Sequence, residues 1–142
     1  MVRPDNQAST AAIRSIHVAF VAAALIYILI AYVVASDADP QPLPMPLTAI
    51  LAAAAAASIA AGYILPRRFW ARVEAGEVTG VRPGALAAYQ TGSIMAWACF
   101  EAPAILGLVL AIISGQWIPA LVGSVVSLVF LVTTRPHLPN LG

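Results

Sequence analysis

The sequence predicts an all-α integral membrane protein, a four-helix bundle with both termini in the cytoplasm. Three observations predict it. Of 142 residues, 61% are hydrophobic and 9% are charged, against about 45–50% and about 25% in a soluble domain. The apolar residues gather in four runs that lack the alternation of a membrane barrel, which leaves helices as the spanning form. The seven cations are all arginine, and every one falls on the same side of those runs, the side the positive-inside rule assigns to the cytoplasm. A soluble domain of this size buries only about two thirds of its chain's surface, so a soluble enzyme is excluded. A net charge of +1 offers no basic field to phosphates, which excludes nucleic acid as a partner.

The first span covers 18–35. Arg3 and Arg14 precede it, and its apolar run is long for a signal peptide, so it reads as an uncleaved signal-anchor helix. Ser36 to Pro46 then forms a Pro-rich extracytoplasmic strap carrying Asp37 and Asp39. Its prolines cannot continue a helix and favour an extended course.

The second span covers 47–65. It reads Ala52 to Ala57 without a break, then Ser58, Ile59, Ala60, Ala61 and Gly62. Small residues recur in two registers, Ala53, Ala57, Ala61 and Ala54, Ser58, Gly62. In lipid, close packing and polar contacts join helices, because burying apolar surface gains nothing there. This span is therefore expected to be the central packing helix, through Ala53, Ala57, Ala61 and Gly62.

Pro66 to Gly84 is a cytoplasmic loop with four arginines, Arg67, Arg68, Arg72 and Arg82. It predicts a short interfacial helix around Phe69 to Glu74, and its arginines suit anionic lipid heads or a cytosolic partner. The third span covers 88–114. Ser114, Gly115 and Gln116 make a tight turn, so spans three and four form an antiparallel hairpin. The fourth span, 117–134, is short for the roughly 20 residues a bilayer requires. Trp70, Trp117, Tyr32, Tyr63 and Tyr89 fall near the ends of spans, as an aromatic belt does.

Cys99 is the only cysteine, which excludes an internal disulfide or a cysteine-based zinc site. His17 and His137 stand far apart and read as interfacial. No cofactor and no metal are expected.

Glu101 is the one acid inside a span. It lies about 4 Å to the cytoplasmic side of the midpoint of the span's most apolar run, 94–113. A carboxylate at that depth costs on the order of 3 kcal/mol, so desolvation favours the neutral acid. A neutral carboxyl both donates and accepts, and needs partners. Counting residues from the span centres puts Tyr27, Ser58 and Ser127, one from each other helix, at matching depth. They form an expected polar layer around Glu101. Gln90, Ser93, Trp97, Glu101, Ala104 and Leu108 share one face of the third span. Its polar half offers a proton route from the cytoplasm. Pro103 cannot donate to the carbonyl of Cys99, so a kink is expected one turn from the acid.

Phe100 to Ala111 reads Phe-Glu-Ala-Pro-Ala-Ile-Leu-Gly-Leu-Val-Leu-Ala. This stretch resembles the outer helix of the rotary ATP synthase c subunit, the proteolipid. In that family the ion-carrying carboxylate precedes Gly-Leu-Val by six residues, the offset kept here by Glu101 and Gly107-Leu108-Val109. The resemblance implies that Glu101 is a proton or sodium site. The chain departs from the family in its longer loop and its two additional spans. As a whole it looks like a four-span bacterial membrane protein, which implies the bacterial inner (plasma) membrane as its location.

These features predict a noncatalytic accessory or assembly subunit of a larger inner-membrane complex, with the lipid bilayer and a membrane-protein partner or second copy as neighbours. The alternative is a proton- or cation-translocating protein using Glu101. An enzyme is not expected, because no converging set of acid, base and nucleophile is present. Glu74 and Glu77 read as exposed partners of the loop arginines, each pair worth little.

Overall fold

Among the described residues the apolar sequence forms five helices: α1 (Pro4–Ser36), α2 (Met45–Ile64), α3 (Arg67–Glu74), α4 (Pro83–Ser114) and α5 (Ile118–Thr133). A computed structural model describes residues 4–74 and 83–134, with side chains described for 11–71 and 87–134. All regular structure in this part is helical. Three stretches are long and apolar enough to cross a membrane: Ala11–Ser36, Met45–Ala71 and Ala87–Ser114. The fourth, α5, is an apolar helix of 16 residues. These elements match an apolar helical membrane bundle.

Boundaries differ from the sequence reading where polar residues continue a helix. Helix α1 already runs from Pro4, ahead of the expected start near Val18, and α4 from Pro83, ahead of Ala88. The predicted short helix after the second span is present as α3.

The central helix is α4, not α2. It touches α1, α2, α3 and α5, whereas α2 comes into close backbone approach only with α4 and α3. Within the apolar windows, 44% of α4 is buried against 6% of α2. Ala53 and Ala57 lie on the exposed side of α2, Ala61 is half-buried and Gly62 is buried. The expected register through Ala53 and Ala57 is therefore corrected. The face that packs runs through Leu51, Ala55, Ser58, Ile59 and Gly62. A run of alanines presents the same surface all round, so it selects no side. Gly62 selects it: a Cβ there would stand 2.6 Å from the Phe100 ring, and only the missing side chain admits that ring.

Close backbone approach occurs instead between α4 and α5. A Cβ on Gly107 would collide with the Pro119 carbonyl oxygen, and one on Gly123 with the Pro103 carbonyl oxygen; each would also lie 3.2 Å from the other glycine's Cα. Ala104, Ala111, Ala120, Ser124 and Ser127 are buried along the same seam. The α4–α5 turn forms at Gly115, whose φ is +62°. The strap after α1 closes over that turn. Gln41 N–H donates to the Ser114 carbonyl at 2.8 Å, and Gln116 Nε2 donates to the Gln41 carbonyl at 3.1 Å. Tyr32 meets Trp117 edge-on beside it.

Gly115→Ala tests this corner. The left-handed backbone costs an L-residue roughly 1–2 kcal/mol, and the added Cβ would stand 3.0 Å from Ala38 Cβ and the Asp39 carbonyl oxygen. A drop of at least that size in unfolding free energy is expected from denaturation in mixed micelles. An unchanged midpoint would rule out the close fit between strap and turn.

Candidate functional site

Glu101 sits half-buried near the middle of α4. The Tyr27 hydroxyl on α1 donates to its Oε1 at 2.9 Å. The pair forms because helical side chains lean toward the N-terminus. Ala31 of α1 packs in one cluster with Ala111 of α4, so the Tyr27 backbone is level with about residue 107. Its long ring then reaches back to the carboxyl.

Ser127 on α5 is fully buried. Its hydroxyl accepts the Ala104 N–H at 3.0 Å and stands 3.5 Å from the Glu101 carbonyl oxygen. It thus serves the backbone of the Glu101 turn rather than the carboxyl. Pro103 lies in the same turn. α4 passes through Pro103 without a break, but the ring deprives the Cys99 carbonyl of its usual donor and crowds the turn. A neighbouring hydroxyl that enters such a turn satisfies groups the helix leaves open.

Ser58 does not join the layer. Its hydroxyl donates to the Ala55 carbonyl of its own helix at 2.8 Å, a back-bond that exposed or half-exposed serines often make. The expected four-helix polar layer is therefore a three-helix one, drawn from α1, α4 and α5. Ser124, one turn along α5 from Ser127, is fully buried and its hydroxyl has no hydrogen-bond partner among the described residues. Residue counting overlooked it because it lies outside the expected depth of the layer.

The expected proton route along α4 is filled. Trp97 is 1% exposed and stands one turn below Glu101, between the acid and Ser93. Its ring packs against His17 at 4.9 Å and Phe20 at 6.3 Å, and its Nε1 donates to the Thr134 carbonyl at 3.2 Å. His17 is half-buried within the bundle. Its Nε2 lies 2.8 Å from the Leu131 carbonyl; a carbonyl only accepts, so this nitrogen carries the proton. Below the acid, then, Ile13, Ala96, Trp97, Phe100 and Leu131 form one apolar core. Phe100 stacks on Phe130 at 5.5 Å and meets Tyr63 edge-on at 5.1 Å.

Arg67 and Arg68 are exposed at the start of α3. The side chain of Arg72 and the whole of Arg82, Glu77, Arg135 and His137 lie outside the described residues. Among the described residues no group of three or more His, Cys, Asp or Glu side chains could hold a metal ion. Among the described residues the site offers one carboxyl, which accepts a hydrogen bond from the Tyr27 hydroxyl. No family model, no curated protein and no solved structure matches the chain.

Proposed function

We propose that the protein is a noncatalytic integral membrane protein that acts as an accessory or assembly subunit of a larger inner-membrane complex. The observation that supports it most is the open side of α2. Ala49, Ala52, Ala53, Ala56, Ala57 and Ala60 are exposed, and no other helix among the described residues uses that face. Small residues let helix backbones come close in lipid, where contact area rather than hydrophobicity joins them. The Trp97 plug below Glu101 supports the same reading, since it leaves the acid in a packing role. In this reading four helices cross the membrane, α5 being extended by Trp117 and Thr134. The termini and α3 face the cytoplasm, and the acidic strap faces outward.

Extraction of native membranes in mild detergent tests the proposal. A partner in fixed ratio is expected with the wild type, and Ala53→Phe/Ala57→Phe should lose it while keeping the wild-type unfolding midpoint. A monomer without partner, or a double variant that keeps it, would overturn the reading.

The hydrogen bond from Tyr27 to Glu101 favours a second reading, translocation of a proton or cation through Glu101, in line with the likeness of this stretch to the proteolipid helix. Reconstituted in liposomes, Glu101→Gln should then fold normally and lose all flux. A wild type without flux removes this reading.

A further inference from the structure

Three exposed arginines from separate parts of the chain fall at one height on the bundle. Gly62 of α2 lies against Cys99 and Phe100, and Gly92 of α4 lies against Phe69 and Trp70. Each step along α2 and α3 is therefore matched by one step back along α4, and α3 continues the course of α2. Arg67 and Arg68 come level with about Ile94. On α1 the His17 ring contacts the Trp97 ring. The two helices run parallel, so Arg14, one turn before His17, is also level with Ile94. α5 ends close by, at Thr133, and Trp97 Nε1 donates to the carbonyl of the following Thr134.

The surroundings of this level change abruptly. Immediately above Arg67, Ile64 is 62% exposed and Leu65 is 46% exposed, both on the outer side. Phe69 and Trp70 turn inward onto α4, which leaves Arg67 and Arg68 outermost. Arg14, Arg67 and Arg68 are each exposed, and no ion pair to any of them is present among the described residues. An apolar column meant for acyl chains thus meets guanidinium groups at the height where α2 and α5 end. Guanidinium offers a planar fork of donors that fits phosphate oxygens.

We propose that Arg67 and Arg68 form a headgroup site for anionic phospholipid, while Arg14, on a helix that does not approach α2 or α3, meets the same headgroup layer elsewhere on the bundle. α3 holds the two adjacent guanidiniums at the phosphate plane of the bilayer. The site selects phosphatidylglycerol-type heads, whose net negative charge is not offset by a choline, over zwitterionic ones. Each guanidinium contributes about fivefold in affinity, the equivalent of about 1 kcal/mol per arginine near an anionic surface. The inference rests on the membrane reading of the chain. Failure of the chain to float with vesicles would end that reading, whereas indifference to lipid charge would end only this one.

The test uses the purified full chain in phosphatidylcholine-containing micelles, titrated with phosphatidylglycerol, with phosphatidylcholine or with inorganic phosphate. Retained lipid is read by native mass spectrometry and stability by the thermal midpoint. Phosphatidylglycerol is expected to be retained and to raise the midpoint. Arg67→Gln/Arg68→Gln should weaken that retention roughly 20- to 30-fold, with its midpoint in phosphatidylcholine unchanged. Arg67→Lys/Arg68→Lys should restore part of it, since charge returns without the fork. Equal retention of both lipids by the wild type, full retention by the glutamine variant, or an equal effect of inorganic phosphate alone would each overturn the proposal.

Discussion

Gly123→Ala is expected to force α4 and α5 apart and to lower the unfolding free energy by about 3 kcal/mol or more. The new Cβ would meet the Pro103 carbonyl oxygen and lie 3.2 Å from Gly107 Cα. Both obstacles are backbone, so no side-chain rotation relieves them. The helices must separate, and separation withdraws the Ser127 hydroxyl from the Ala104 N–H it accepts at 3.0 Å. An N–H abandoned in an apolar interior adds its own cost of about 1–3 kcal/mol. Gly107→Ala should behave alike through the Pro119 carbonyl. Ala57→Val, on the exposed side of α2, should change stability by less than about 0.5 kcal/mol. Unfolding of the three variants in rising mole fractions of an ionic detergent checks the order. A Gly123→Ala midpoint equal to that of Ala57→Val would refute the backbone contact.

That contact marks where sequence reasoning stopped. Apolar runs, prolines and arginines were enough to expect the helices and the turn at Gly115, because each reports a local physical requirement. Choosing the helix faces needs an asymmetry that side chains alone must carry. In α2 the alanines carry none, and Gly62 became informative only when its opposite number, Phe100, was known. In α4 and α5 the signal was present but dispersed. Gly107 precedes Ala111 by one turn, and Ala120 precedes Ser124 by one turn, yet larger residues separate them and conceal the pattern.

Depth counting located Glu101 among Tyr27, Ser58 and Ser127 because helix rise is constant. It could not say which way each hydroxyl turns. A serine half-exposed on a peripheral helix satisfies itself on the carbonyl one turn back, as Ser58 does on Ala55. A serine sealed in an interface must look outward, as Ser127 does toward α4. Helical spacing alone puts Trp97 on the face of Gln90, Ser93 and Glu101. Its indole is large, and with His17 and Phe20 beside it the space below the acid is filled rather than lined.

The Tyr27–Glu101 pair yields the second large effect, and its sign depends on which partner is removed. Tyr27→Phe keeps the ring and deletes the donor, so Oε1 loses the bond of 2.9 Å while the acid stays among apolar helices. A loss of about 1–3 kcal/mol is expected. Adding Glu101→Leu to that variant removes the group left stranded. Exchanging a buried polar pair for apolar side chains of similar volume is often neutral or stabilising, and deletion of an intramembrane acid recovers about 2.5–3.5 kcal/mol on insertion scales. The double variant should therefore be at least as stable as the wild type, and more stable than Tyr27→Phe alone. A cycle over wild type, both single variants and the double variant gives the coupling directly, expected at about 1 kcal/mol for a hydrogen bond between membrane helices. Strictly additive single effects would show that hydroxyl and carboxyl do not meet in the folded protein. A positive coupling, together with a double variant at least as stable as the wild type, means that the acid is retained although apolar side chains would hold the bundle as well.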